Sequence, residues 1–146
     1  MAHFALLSNT NVVVRVVVVD TDAILDENGN ENEAIGQSIL QKLFRHTETW
    51  KKASYNTRRG QYYKTNTIDE LHEDQSKAYR LNFPGTGWTY NAEIDGFVEP
   101  KRFPSMILNT STGIYEYPIP YPADAPDEDS YIWNEEQQRW DPHTFE

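Results

Sequence analysis

The segment Trp133-Asn134-Glu135-Glu136-Gln137-Gln138-Arg139-Trp140 repeats a pattern that also occurs at residues 90–97 and 108–115. Each copy has an apolar or aromatic residue, an asparagine, five mostly polar residues and an aromatic residue. Because Asn tolerates left-handed backbone and bonds its own main chain, the pattern predicts two short strands joined by a turn. We expect Asp95-Gly96 and Thr112-Gly113 to supply the positive φ angles that tight turns need.

A proline follows each copy, at Pro100, Pro118 and Pro142. Proline cannot donate to a strand ladder, so it limits how far the second strand of each hairpin extends. None of the copies carries a reactive side chain at a fixed place. A hairpin repeated in this way is typical of a building or binding element rather than of a catalytic one.

The N-terminal part predicts a small sheet with one helix. The run Val12-Val13-Val14-Arg15-Val16-Val17-Val18-Val19 favours a strand because β-branched side chains are stiff at χ1. Its near-continuous valine indicates burial on both faces, by a helix and a second sheet or by a neighbouring subunit. The predicted elements are a hairpin of residues 3–7 and 11–20, an acidic loop over 21–33, an amphipathic helix over 33–46 and a third strand over 50–56.

The sequence of residues 58–84 gives a weaker indication of secondary structure. Arg58-Arg59-Gly60 indicates a turn before an extended piece, and residues 68–79 fit either a short helix or a long ordered loop. Pro84-Gly85-Thr86-Gly87 then breaks the chain. We predict an α+β fold: an N-terminal antiparallel β-hairpin plus strand covered by one helix in residues 1–84, followed in residues 85–146 by three repeated β-hairpins with proline-rich connectors.

The composition excludes several classes of function. The 146 residues carry 23 acidic and 13 basic side chains, a formal charge of −10, so duplex nucleic acid is not expected as a partner. Without cysteine there are no disulfides or thiolate metal sites. The valine run is too short to span a bilayer and lacks the flanks of a signal peptide, so we expect no membrane partner.

The chain shows no catalytic pattern, and we expect neither an enzyme nor a cofactor. His72-Glu73-Asp74 lacks the second histidine one helical turn away that a zinc protease motif requires. An EF-hand aligned on Asp26 would need glycine where Glu31 lies and glutamate where Gln37 lies. We therefore expect no metal site, although a looser oxygen site for calcium in the acidic loop remains an alternative.

Aromatic residues are the better candidates for a binding role. The hairpin rings fit either the core of a small β domain or a stacking surface, and the main ones are Trp88, Tyr90, Trp133 and Trp140. Tyrosines on connectors favour an exposed protein contact, because Tyr and Trp are enriched at interface centres. The candidate protein interface comprises Arg58, Arg59, Tyr117, Pro118, Pro120, Tyr121 and Pro122.

The order of short segments along the chain carries a resemblance. It runs from Met1-Ala2-His3-Phe4-Ala5 and the valine strand through Ala53-Ser54-Tyr55-Asn56-Thr57-Arg58, Glu73-Asp74-Gln75-Ser76-Lys77-Ala78, Gly87-Trp88-Thr89-Tyr90 and Phe103-Pro104-Ser105 to Pro120-Tyr121-Pro122. This order resembles a family of small proteins of marine tailed bacteriophages, cyanophages among them. The resemblance covers nearly the whole chain. It implies a virion-associated protein and no catalytic residues.

The main functional hypothesis is a phage virion structural protein, a capsid decoration or cement protein that binds the outer capsid surface. Its first partner would be the major capsid protein, with homo-oligomers also possible, and its location would be the virion. The alternatives are a protein of the tail or tail fibre, a module that binds host glycans with the hairpin aromatics, and an assembly chaperone that is missing from mature particles. Particle composition separates the capsid, tail and chaperone hypotheses, whereas the glycan hypothesis predicts that Trp133→Ala or Trp140→Ala abolishes glycan binding while the fold stays intact.

Overall fold

A computed structural model of the chain describes residues 1–44 and 48–144. Antiparallel strands predominate beside a single α-helix in these ranges, which confirms the α+β class. The elements are β1 (Ala2–Leu7), β2 (Val13–Val19), α1 (Glu33–Leu43), β3 (Thr49–Ala53), β4 (Thr57–Arg58), β5 (Gln61–Tyr62), β6 (Thr89–Asn91), β7 (Gly96–Val98), β8 (Ile107–Asn109), β9 (Ile114–Glu116), β10 (Tyr131–Asn134) and β11 (Arg139–Pro142). No helix in the described ranges is long and apolar enough to cross a membrane.

Strands β2, β1 and β3 form an antiparallel sheet in that order. In the β1–β2 ladder Phe4 lies opposite Val17 and Ala5 opposite Val16, and the register shifts between Leu6 and Leu7. This places the valine strand at one edge of the sheet rather than in its centre.

Each face of the sheet has its own core. On one face Phe4 and Trp50 pack with Leu40 of α1, and Val17 and Val19 lie against this cluster. On the other face a second cluster joins the sheet to β6 and β7, through residues Ala5, Leu7, Val13, Ala53, Tyr90 and Phe97. The cover expected on both faces is therefore found in part: Val13 is buried, and Val16, Val17 and Val19 are half-buried, between α1 on one side and a hairpin on the other. Val14 and Val18 are the exceptions, at 48% and 52% exposure.

Helix α1 begins at Glu33 and is capped by Asn32, whose side-chain oxygen accepts a hydrogen bond from the Ile35 amide at 3.3 Å. An asparagine at this position satisfies one of the free amides of the first turn. The helix ends at Leu43; the predicted last two residues, Arg45 and His46, lie outside the described residues.

Residues 54–84 form an ordered loop around one short hairpin. Strands β4 and β5 pair across Arg59 and Gly60, which both have positive φ. Of the two alternatives for residues 68–79, the structure has a loop with one 3-10 turn, Gln75–Lys77, and no α-helix in this described stretch.

Strands β6 to β11 form three antiparallel hairpins with the same geometry. The residue before each asparagine lies opposite the second aromatic position, in the pairs Tyr90–Phe97, Leu108–Tyr115 and Trp133–Trp140. Each loop has four residues, and the fourth has positive φ: Asp95, Gly113 and Gln138. The expected positive φ is therefore found at Gly113, whereas in the first hairpin Asp95 adopts it and Gly96 does not.

The chain divides into two compact units. Unit 1 comprises residues 1–100 and 110–113, and unit 2 comprises residues 101–109 and 114–146. The main division lies after Pro100, at a different place from the boundary predicted between Pro84 and Gly85. The four residues of the β8–β9 loop belong to unit 1, while both strands of that hairpin belong to unit 2.

Candidate functional site

Unit 2 contains a group of touching aromatic rings, here called the ring cluster: Phe103, Tyr117, Tyr121, Tyr131, Trp133 and Trp140. Trp133 and Trp140 lie opposite each other in the β10–β11 ladder, with ring centroids 5.2 Å apart. Opposite residues of an antiparallel pair share one face, so the repeat spacing by itself brings these two rings together. Six ring contacts join these six residues into one connected group.

Trp133 is the anchored member of the cluster. Its side chain is buried, with 7% of its surface exposed, and its indole N–H donates to Glu135 at 2.8 Å. The hydroxyl and amide of Ser105 also donate to Glu135, and these bonds together hold the pKa of the Glu135 carboxyl below its ordinary value. Trp133 therefore acts as core, one of the two roles considered for it.

The connector is defined here as residues 117–122, Tyr117-Pro118-Ile119-Pro120-Tyr121-Pro122. The rings of Tyr117 and Tyr121 pack edge-on to Trp140, with centroids 4.6 and 5.0 Å away. Between them the Trp140 indole N–H donates to the Ile119 carbonyl at 2.9 Å. The two predicted interface tyrosines thus hold the connector against the hairpin.

The connector continues into a turn that is also held by Tyr121. The Tyr121 hydroxyl donates to the carbonyl of Asp127 at 2.8 Å and accepts from the amide of Tyr131 at 3.2 Å. Ile119, at 46% exposure, and the exposed Pro120 face outward. The surface presented by the connector is therefore Ile119 and Pro120 rather than the tyrosine rings.

Trp88 and Tyr90 lie in unit 1, where Tyr90 is part of the core and Trp88 packs against it. The Tyr90 hydroxyl donates to Asp95. This bond lowers the pKa of the Asp95 carboxyl; burial opposes the shift, and the Arg80 guanidinium, which donates to Asp95 at 3.1 Å, adds to it. Both rings serve the fold of unit 1.

Arg58 and Arg59 also lie in unit 1, so they belong to a different unit from the connector. The Arg58 guanidinium stacks 4.1 Å from the Tyr63 ring centre and donates to the Ile68 carbonyl. The Arg59 amide donates to Asn82 at 2.8 Å, while its side chain is exposed. The set predicted as one protein interface is thus divided between the two units.

Unit 1 contains a second feature, which the sequence did not indicate. A cleft of about 250 Å³ opens where β1 begins and β3 ends. Its lining includes His3, Lys52, Ser54, Tyr55 and Tyr79. The residues come from segments up to about 75 positions apart, and no local motif joins them.

The polar groups of the cleft are committed to structural bonds. Burial acts to lower the pKa of Lys52, but the bonds from its ammonium to the Tyr79 hydroxyl, 2.6 Å, and to Glu31, 3.1 Å, outweigh it and raise the pKa. A lysine held protonated cannot act as a base. The Ser54 hydroxyl donates to the Lys77 carbonyl. A carbonyl oxygen does not remove the hydroxyl proton, so this bond does not activate Ser54 as a nucleophile.

His3 forms the aromatic wall of the cleft. Its ring stacks on Tyr55 with centroids 5.0 Å apart and meets the edge of Phe83 at 5.1 Å. Burial is the main cause that lowers the pKa of the imidazole, which favours the neutral form. The cleft is a polar and aromatic cavity without a nucleophile–base pair among the contacts described.

The acidic loop is closed by its own main chain. One carboxylate oxygen of Asp26 accepts from the amides of Asn28 and Asn30, both at 2.9 Å. Asx turns of this kind need no cation. Within residues 1–44 and 48–144 no group of three acidic or histidine side chains is placed to hold a metal ion.

Comparison of the chain with models of protein families, with curated proteins and with solved structures finds no match in any of the three.

Proposed function

We propose that this chain is a structural protein of a tailed-phage particle, a decoration or cement protein that binds the outer capsid surface. The observation that carries the proposal is the connector, a proline-rich segment that packs on the ring cluster and exposes Ile119 and Pro120. The resemblance of the ordered segments to small proteins of tailed phages, which covers nearly the whole chain, supports the same role. The protein would reside in the virion, and its first partner would be the major capsid protein.

A segment that is already ordered before it binds loses less conformational entropy when the complex forms. Ordering a flexible segment costs free energy when a complex forms, and a segment that is already ordered avoids much of that cost. Here the Trp140–Ile119 hydrogen bond and the two tyrosine rings restrain the connector in the free protein. Ile119 and Pro120 then form a small apolar ridge for a protein partner.

We also propose that the three hairpins are copies of one repeated unit with proline-rich connectors. The equal loop lengths, the shared position of positive φ and the matching cross-strand pairs support this proposal.

Many equivalent weak contacts on a symmetric capsid would add up through avidity. The acidic residues between 121 and 144 would face outward, away from the capsid.

The composition of purified particles tests the location. Quantitative mass spectrometry is expected to find hundreds of copies of this chain per particle, on the order of the number of capsid subunits. A few dozen copies or fewer would contradict the cement role and support the tail alternative. Complete absence from mature particles would contradict both and support the assembly chaperone.

A matched pair of variants tests the connector. Ile119→Asp places a charge on the exposed ridge and is expected to remove the protein from particles while its circular dichroism stays unchanged. Ile107→Asp makes the same change at another exposed isoleucine of unit 2, with 61% of its surface exposed. Equal incorporation of both variants would show that the ridge is not the docking surface.

The glycan alternative has less support from the geometry. Sugar stacking needs an open ring face, whereas Trp133 is buried and Trp140 contacts three other rings. Trp133→Ala is therefore expected to lower stability rather than to abolish glycan binding selectively. Glycan-array binding that is lost in a folded Trp140→Ala variant would favour the alternative.

A further inference from the structure

Strand β2 leaves part of its outer edge uncovered. At its start the edge is paired within the chain: the Val13 amide donates to Trp88 at 2.7 Å, and the Val13 carbonyl accepts from Gly87 at 2.8 Å. In the described ranges this pairing ends at Val13, while β2 continues to Val19 on the outside of the sheet. Among residues 1–44 and 48–144, no strand pairs with the outer edge of residues 15–19, which is therefore available for a further strand.

The register shift at Val14 protects the start of this open edge, but residues 15–19 have little of the usual protection against pairing. Natural edge strands are shielded by lysine, proline, inward charges or a covering segment. Between Val14 and Val19 the charged residue is Arg15, and its guanidinium is drawn onto the Phe44 ring, 5.2 Å from the ring centre. Val14 and Val18 are about half exposed. A β-branched edge without lysine, proline or a covering segment favours strand addition.

The open edge has the right length to pair with the same edge of a second copy. If a second β2 runs antiparallel with Val17 opposite Val17, Val16 faces Val18 and Arg15 faces Val19 of the other copy. Val14, which has no partner in the β1–β2 ladder, lies beyond the last of these pairs. After Asp20 the chain turns into the 3-10 turn Thr21–Ile24. Each added strand therefore ends just before the place where residues 87–90 already cover the edge.

The same register also matches in chemistry. Opposite residues share a face of the sheet, and Val16 and Val18 both lie on the face that packs against β6 and β7, since they pair with Ala5 and His3 of β1. Val19 and Arg15 both lie on the face of α1.

We propose that the outer edge of β2 pairs with the same edge of a second copy of this chain, antiparallel and centred on Val17. The two three-stranded sheets would join into one, with an isologous two-fold contact. The inference does not depend on the phage role, because it rests on the strand edge alone. It explains why a strand with so much valine lies at an edge.

Sedimentation equilibrium on the full chain tests the dimer. The unchanged protein is expected to dimerise, and Val18→Lys to raise the dissociation constant about tenfold or more, because each dimer loses two valine pairs. Ile68→Lys is the matched control: it adds the same charge at a side chain with 88% exposure away from the edge. A strictly monomeric protein, or equal weakening by both variants, would overturn the proposal.

Cysteine cross-linking tests the register, and the chain has no native cysteine to interfere. Cα atoms of opposite antiparallel residues lie at a distance that a disulfide can bridge. Val17→Cys is expected to form a disulfide dimer much faster than Ile68→Cys under the same oxidation. A mixture of Val16→Cys and Val18→Cys is expected to form mixed dimers in preference to like pairs.

The outcomes of the sedimentation and cross-linking experiments do not depend on whether the chain is found in phage particles. Cross-linking of Val17→Cys at the rate of Ile68→Cys would show that β2 edges do not meet, whatever the copy number in particles. Absence of the chain from particles would leave a cross-linked dimer as a valid finding.

Discussion

At the scale of single residues, glycines in unit 1 are required for close packing as well as for turn geometry. Gly96 does not have positive φ, yet a Cβ placed on it would lie 2.5 Å from Cδ1 of Leu81. Gly113 combines both demands, with φ of 71° and a virtual Cβ 2.7 Å from the Asn82 amide nitrogen. The two hairpin loops thus close around Leu81 and Asn82.

Gly96→Ala is expected to destabilise unit 1 by about 1–3 kcal/mol, because the added methyl group overpacks against Leu81. Gly85→Ala is the matched control, since the virtual Cβ of Gly85 meets its nearest atom, in Trp88, at an ordinary 3.5 Å. Urea unfolding of both variants measures the difference. Equal midpoints would mean that Leu81 moves aside without cost.

Asn82 is the buried residue that ties three segments of unit 1 together. Its amide donates to the carbonyls of Phe97, 3.0 Å, and Thr112, 2.7 Å, and its side-chain oxygen accepts from the Arg59 amide at 2.8 Å. No local sequence motif indicates this role, because the three partners of Asn82 are 15 to 30 positions away in sequence.

Asn82→Ala is expected to lower the free energy of unfolding by about 2–4 kcal/mol, since it leaves buried main-chain groups without partners. Asn30→Ala, at an exposed position, should change it by less than about 0.5 kcal/mol. Chemical denaturation with circular dichroism compares the two. A small loss at Asn82 would indicate that water replaces the missing amide.

At the scale of elements, the ring cluster shows how a connector gains structure from a hairpin. Trp140 contacts Tyr117, Tyr121 and Trp133 and also holds the Ile119 carbonyl. The order of residues 117–122 therefore depends on one side chain of β11. The prolines alone restrict φ but do not place the segment.

Trp140→Leu is expected to destabilise unit 2 by about 2–4 kcal/mol and to reduce its near-ultraviolet circular dichroism, because three ring contacts and one hydrogen bond are lost. Trp140→Phe keeps a ring without the N–H and should lose about half as much. Ile107→Leu serves as the control at an exposed position of the same unit. Retention of full stability in Trp140→Leu would show that the connector is held by other contacts.

At the scale of the whole molecule, acid should weaken the fold. The pKa of Asp95 is lowered in the folded chain, first by the bond from Tyr90, so its ionised form stabilises unit 1. This contribution is present above the unfolded pKa of about 3.9 and is lost as pH falls through the folded pKa. Bonds from Asn134 and then Arg139 likewise lower the pKa of Asp141 in unit 2.

The expected outcome is a urea midpoint that falls steadily as pH decreases below about 4. Asp95→Asn should flatten this dependence for unit 1, because its amide does not titrate. Glu93→Gln removes an acid from the same loop and controls for net charge. An unchanged pH profile in Asp95→Asn would show that the lowered pKa does not contribute to stability.

Local pattern predicted much of the fold. The valine strand, the start of the helix and the α+β class follow from periodicity, β-branching and capping, which act over a few residues. The Trp133–Trp140 contact also follows from sequence spacing, since opposite residues in a hairpin share a face. The role of Gly96 could not be predicted, because its partner Leu81 is 15 residues away and lies against it only after folding.

The same division applies to the candidate sites. The sequence by itself determined that the chain is acidic, lacks cysteine and carries hairpins rich in aromatic residues, because these are properties of composition and short-range pattern. Only the tertiary structure decided that Tyr117 and Tyr121 face Trp140, that Arg58 belongs to another unit and that one edge of β2 has no partner strand among the residues described. The physical reason is that burial and edge position depend on which distant segments pack together, and those contacts are made only when the chain folds.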